Sequence, residues 1–266
     1  MLLSPIDLVF FSPTGTTQRA LFAIAKGYGD PAPHAYDLTL DAASAHEAGP
    51  GRLTILGAPV YAGRVAPAAA KRFTALRGNG APAVVVVCYG NRAYEDALLE
   101  LRDIAMAQGF IPIAGAAFIG EHSFSTPDAP IAPGRPDADD LSRAETFGRA
   151  VRAKLDALSP MDLASLPPLA VPGAFPYKEA TPGAAFAPQT DPEACILCGT
   201  CAVVCPTAAV TVSETVITDA GACIRCCACV KSCPSKARAL DAPRITEIRA
   251  WLFGNHRAPK APEVFL

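Results

Sequence analysis

Excess basic charge is missing from this chain: 23 Lys and Arg stand against 25 Asp and Glu, a formal net charge of -2. That balance excludes the strongly basic face on which nucleic-acid binding depends. Long hydrophobic runs are missing too, and nothing approaches the roughly 20 apolar residues of a bilayer span. The opening MLLSPIDLVFF has the look of a signal peptide's apolar region, yet no Lys or Arg precedes it, and Pro5 and Asp7 interrupt it. A buried first strand is the better expectation. Cysteine is scarce where a secreted scaffold would need it. Cys88 alone lies in the first 190 residues, and the rest of the 10 fall between Cys195 and Cys233. Cysteines confined to one end point to metal and a reducing cytoplasm rather than to disulfides. Two phosphate-binding fingerprints are also lacking, G-x4-G-K-[ST] and G-x-G-x-x-G. Their absence argues against a nucleotide-hydrolysing loop and a conventional dinucleotide site.

What is there begins with alternation. The chain has 266 residues, 51% of them hydrophobic, enough for one sizeable domain and a smaller one. Apolar runs at 6–12, 34–40, 53–60, 83–90 and 110–120 read as strands, with AVVVVCYG the clearest central one. Helical spacing falls between them at 16–28, 66–76 and 94–108, and again at 139–158. Continuous apolar strands separated by helices predict a parallel sheet covered on both faces. Five strands fit a doubly wound sheet of order 2-1-3-4-5, which binds ligands beyond the carboxyl ends of its strands. The expected organisation is an α/β domain over 1–158, a Pro-rich linker over 159–190, a cysteine module over 191–242, and a helix and tail over 243–266. The linker, with seven prolines, is expected to be extended and partly stiff.

The module repeats at an offset of 28 residues. DPEACILCGTCAVVCP (191–206) matches DAGACIRCCACVKSCP (219–234), and each half reads C-x2-C-x2-C-x3-C-P. Three thiolates so spaced wrap three corners of a cubane, while the fourth cysteine of each run ligates the other cluster. One cluster then takes Cys195, Cys198, Cys201 and Cys233; the other takes Cys223, Cys226, Cys229 and Cys205. Cys227 fits neither spacing. Zinc is the main alternative, because C-x2-C pairs are common in zinc sites. On these motifs the module resembles a bacterial two-cluster [4Fe-4S] ferredoxin. The resemblance implies one-electron carriage at low potential.

FSPTGTT (11–17), at the end of the first strand, offers hydroxyls at Ser12, Thr14, Thr16 and Thr17 around Gly15, with backbone N–H groups at a helix start. Such donors suit a phosphomonoester dianion. Taken alone, Ser and Thr before a helix are more often caps. APVYAGR (58–64), with Pro59, Tyr61 and Gly63, and YGNRAYED (89–96), with Tyr89, Gly90, Asn91 and Tyr94, would leave the sheet at the same edge. Their aromatics would suit a flat ring joined to a phosphate, as in FMN. Here the first domain resembles flavodoxins: S-x-T-G-x-T at 12–17 matches their phosphate loop. The resemblance implies that Tyr94 stacks on the flavin and that Tyr61 takes the place of the other aromatic. Asn91 stands where flavodoxins often have Asp, and the 60s loop is short and carries Arg64. Cys88 reads as a small buried filler.

The loop 120–141 reaches the same edge, where His122, Ser123, Phe124 and Arg135 would cover the flavin, meet a partner, or stand in solvent. The order of the parts resembles flavodoxin–ferredoxin fusion proteins: a flavodoxin-like doubly wound five-stranded parallel sheet followed by a small α+β ferredoxin domain. That implies an electron-transfer protein holding FMN and two [4Fe-4S] clusters and serving redox partner proteins. Loaded clusters would make the module acidic, so the expected partner has a basic docking patch. The alternative is an FMN-dependent oxidoreductase whose clusters feed the flavin to reduce a small substrate, in a space bordered by His122, Arg64 or Arg135.

Overall fold

A computed structural model describes residues 5–40, 46–49, 51–179 and 186–266. The first four residues of the signal-like segment, and 180–185 of the linker, lie outside the described residues. The first part runs β1 (Ile6–Phe10), α1 (Thr16–Tyr28), β2 (His34–Asp37), β3 (Leu53–Tyr61), β4 (Arg64–Val65), α2 (Pro67–Phe73), β5 (Pro82–Tyr89), α3 (Ala97–Ala107), β6 (Ile111–Ile119) and α4 (Ala138–Ala157). The rest runs α5 (Pro160–Ala164), β7 (Gln189–Thr190), α6 (Thr200–Val203), β8 (Val210–Val212), β9 (Val216–Thr218), α7 (Ala228–Lys231), β10 (Arg238–Ala239), α8 (Pro243–His256) and β11 (Glu263–Phe265).

Five strands pair in parallel in the order β2-β1-β3-β5-β6. Leaving out β4, which only folds back on β3, this is the order 2-1-3-4-5 of flavodoxin-like doubly wound sheets. One face packs Ile6, Leu8 and Phe10 against Leu21 and Ile24 of α1 and Phe147 and Val151 of α4. The other packs Val9, Leu56 and Val85 against Phe73 of α2 and Leu98 and Leu101 of α3. Helices α1 and α4 meet through glycine: a Cβ on Gly148 would stand 2.1 Å from the Ile24 carbonyl oxygen, and one on Gly27 2.0 Å from that of Glu145. Turn 62–63 is a two-residue hairpin, with φ of 53° at Ala62 and 86° at Gly63. It carries β3 on to Tyr61.

The tail adds an element that its prolines conceal. β11 pairs antiparallel with β6, Val264 opposite Ala116, and extends the sheet. The connector is pinned along α3. Asp96 accepts from the Ala174 and Lys178 N–H groups, Arg102 donates to the Leu169 carbonyl, and the Tyr177 hydroxyl bonds Asp103.

The cysteine-rich part shows its repeat in the backbone as well as in the letters. Positive φ recurs 28 residues apart at Leu197 and Arg225 (52° and 57°), Gly199 and Cys227 (77° and 60°), and Ala208 and Lys236 (53° and 55°). Asp191 and Asp219 accept, through their carbonyls, from Cys195 and Cys223 at 3.1 and 3.0 Å. Gly199 and Cys227 each open a short helix, α6 and α7. Cys227 therefore occupies a position where the first half has glycine. Its side chain is buried with Leu240 and Ile245, and burial pushes its thiol well up.

Candidate functional site

Two cavities lie in the cysteine-rich part. The first is lined by Cys195, Cys198 and Cys201 of one run together with Cys233, the last cysteine of the other. The second is lined by Cys223, Cys226 and Cys229 together with Cys205, and Cys227 borders it as well. The turn after each fourth cysteine carries it across: Ala208 and Lys236 donate back to the Cys205 and Cys233 carbonyls at 3.2 Å. Among the described residues no three His, Cys, Asp or Glu groups converge as they would around a single ion. Four motif thiols spread around each largely apolar cavity fit a cubane, whose corners hold thiolates farther apart than one metal ion does.

The cavities differ in their surroundings. The first opens outward: Cys198 is exposed, and the Thr200 hydroxyl at 3.3 Å lowers its thiol pKa. The second is turned toward the sheet, and burial pushes the Cys226 thiol up to about 12. Tyr61, partly buried at the end of β3, has its hydroxyl pKa held well above the ordinary value by enclosure first and by the neighbouring Cys226, Cys227 and Cys223 thiols next. Ile224 packs on the same core cluster as Tyr61. The two parts are joined around this contact. Arg72 donates to the Pro206 carbonyl, Lys231 pairs with Glu121 at 2.9 Å, and Arg249 donates to the Phe124 carbonyl at 2.9 Å.

At the carboxyl edge of the sheet the predicted residues divide. Gly15, φ 74°, leads α1 with no side-chain cap, and open space surrounds the place of a Cβ. Thr14 is exposed, its hydroxyl 3.3 Å from that of Thr16. These groups, with the N–H groups of Thr16 and Thr17 at the start of α1, remain available to an anion. Ser12 and Thr17 are turned inward. The Ser12 hydroxyl accepts from the Gln18 N–H at 3.1 Å, and Thr17 is buried with its hydroxyl bonded to Cys88. Cys88 itself is enclosed, its thiol pushed up to about 12. Pro59 accepts, through its carbonyl, from Ala66 beside the hairpin, and Gly63 accepts from Asp96 at 3.0 Å, which ties the hairpin to the start of α3.

Residues of the 90s loop are largely committed to the tail. Asn91 is fully buried at φ 62°; its amide donates to the His256 and Ala258 carbonyls at 2.6 and 2.9 Å. The Tyr94 ring lies edge-on to Tyr89, centroids 5.4 Å apart, and its hydroxyl donates to Glu263 at 2.8 Å. Gly90 is pressed by His122: a Cβ there would stand 2.3 Å from the imidazole. His122 accepts at Nδ1 from the Phe124 N–H, and burial together with Lys231 and Arg92 brings its pKa to about 4. It is neutral at physiological pH.

Neither arginine proposed to border a substrate is free to do so. Arg64 forks onto Glu100 at 2.7 and 2.8 Å and donates to the Lys178 carbonyl. Arg135 pairs with Asp140 and Asp137 at the capping box that starts α4. The 120–141 loop meets the cysteine-rich part, with Phe124 against the Cys227, Leu240 and Ile245 cluster. Glu121, Arg72 and the tail's Glu263 escaped sequence reasoning. No local pattern marks a residue whose partner lies more than a hundred positions away.

Residues 188–211 match the family model described as the 4Fe-4S binding domain. No curated protein matches. Among solved structures, a flavodoxin from the domain Archaea is similar at 14% identity, covering 57% of this chain and 99% of that one, with a TM-score of 0.40. The Flv1 flavodiiron core from Synechocystis sp. PCC6803 is similar at 19% identity over 59% of this chain and 37% of that one, TM-score 0.40. The flavodiiron protein from Giardia intestinalis is similar at 18% identity, over 57% and 36%, TM-score 0.34. Among the described residues no helix is long and apolar enough to cross a membrane. By its own strand order and by the match over its first cysteine run, the chain joins a flavodoxin-like α/β domain to a ferredoxin-type 4Fe-4S segment.

Proposed function

We propose that the chain is an electron carrier that holds FMN at the carboxyl edge of the sheet and two [4Fe-4S] clusters in the cysteine-lined cavities, over a flavodoxin-like domain of 1–158 and a module of 191–242. The observation that carries this reading is the sorting of eight motif cysteines into two cavities, each completed by the last cysteine of the opposite run. When bound, FMN exchanges two electrons and each cluster one, so the combination links two-electron to one-electron traffic.

The chain's own residues bind and orient. Thr14, Gly15 and Thr16, with the first turn of α1, cradle the phosphate, while Ser12 braces the loop from behind. Tyr94 is tied to the tail, so Tyr61 is the aromatic left between the flavin edge and the second cysteine set. Gly90 and Asn91 shape the wall that the tail holds in place. An oxidoreductase acting on a small substrate is less well supported, because Arg64 and Arg135 are held in ion pairs and His122 is packed on Gly90.

Anaerobic purification followed by flavin extraction and iron analysis tests the reading. The expected result is one FMN and two four-iron clusters per chain. A protein that binds zinc in place of iron, or fails to retain FMN, would end it.

A further inference from the structure

The two halves of the cysteine-rich part present equivalent faces, and only one is covered. In the second half, Ile224 packs on the core of the sheet part, Arg225 lies 4.9 Å over the Phe186 ring, and Lys231 pairs with Glu121. Subtracting the 28-residue offset gives Ile196, Leu197 and Val203 in the first half. These are 65%, 44% and 71% exposed, although all three are large aliphatics. Ile196 and Leu197 line the first cavity beside exposed Cys198. Isolated exposed aliphatics are ordinary, but two of these border one cysteine set, Val203 follows in the short helix that carries Cys201, and the counterpart positions already form a protein interface.

We propose that the face formed by Ile196, Leu197 and Val203 is the docking surface for a separate one-electron redox protein with an apolar contact face, and that electrons leave or enter the chain through the cysteine set beneath it. The proposal rests on the reading of the chain as an iron–sulfur electron carrier and adds the port and the kind of partner. The first half replaces Arg225 and Lys231 by Leu197 and Val203, so the recognising surface must be apolar at its centre and not acidic. Transfer moves one electron: the chain is oxidised by one and the docked acceptor reduced by one, with no proton or bond exchanged. The second set, turned to Tyr61, communicates with the sheet part and not with the exterior.

The test uses the full chain purified with its cofactors. Flavin and iron are counted first, so failure of the underlying reading appears there and nowhere later. The reduced chain is then mixed with oxidised cytochrome c, a one-electron protein acceptor, or with ferricyanide, a small one. The double variant Ile196→Ser/Val203→Ser should lose about tenfold in rate toward cytochrome c, as removal of two central apolar contacts implies, and nothing toward ferricyanide. Ile217→Ser, which alters a 62% exposed aliphatic outside both cavity linings, is the control and should stay within about twofold. A second readout needs no turnover. An aqueous gadolinium chelate should speed the magnetic relaxation of one cluster signal only. Unchanged cytochrome c rates in the double variant, or equal chelate effects on both signals, would overturn the proposal. A wild-type dimer that Ile196→Ser/Val203→Ser dissociates would also overturn it, by giving the face to a second copy.

Discussion

The sheet part encloses Phe10, Phe11, Phe73 and Phe118 between two helical layers, whereas the cysteine-rich part encloses little more than Cys201, Val210 and Cys229 around one small cluster and Cys227, Leu240 and Ile245 at the junction. The first region therefore derives its stability from burial of continuous apolar strands, which needs nothing from outside. Between Gln189 and Ala239 the second has strands of two or three residues and helices of four, too little for independent stability without ligands to staple it. A region of the first kind tolerates loss of its cofactor; one of the second kind folds with it.

Iron removal is the strongest way to break this contrast. Under a chelator, backbone amides across 195–233 should lose their hydrogen-exchange protection while those of β1, β3 and β5 keep it. Equal loss in both regions, measured by mass spectrometry, would erase the distinction. Next in size is Gly148→Ala, which forces a Cβ against the Ile24 carbonyl and should cost about 1–3 kcal/mol in urea unfolding of the sheet. Iron content in native buffer should not change. Thr14→Val should weaken FMN binding about tenfold by fluorescence titration, the loss expected for one hydrogen bond to a charged group, again with iron retained.

The seam between the regions gives the two smaller effects. His122 keeps a folded pKa of about 4 against an ordinary 6.5, because burial, Lys231 and Arg92 oppose its charge. Between those values the unfolded chain takes up a proton that the folded chain refuses. Stability is therefore full above the upper value and declines as pH falls through the window. His122→Gln should flatten that decline in unfolding curves recorded across it. Smallest is Lys231→Met, which removes a half-exposed ion pair with Glu121 and should cost about 0.2–1 kcal/mol, less at high salt.

The legibility of the chain follows the same division between local and distant causes. AVVVVCYG announces β5 because a strand buried on both faces must be apolar throughout, whereas the 28-residue offset pairs the two cysteine runs but does not foretell that Cys227, outside both spacings, also borders the second cavity. Ser12 and Thr17 were less readable. Hydroxyls at a helix start look alike in sequence, and only the packing turns Thr17 toward Cys88 and leaves Thr14 outward. Asn91 and Tyr94 illustrate the limit. Their partners are His256, Ala258 and Glu263, and β11 is three residues in a proline-punctuated tail with no alternation long enough to betray a strand.

That last strand has a consequence for how the molecule is made. β6 emerges early from the ribosome with one flank bare, and its final neighbour is not synthesised until some 140 residues later, after every cysteine has been translated. A chain cut short after His256 would keep every cysteine yet uncover the backbone of β6 at Gly115–Ala117, an open invitation to edge-to-edge aggregation.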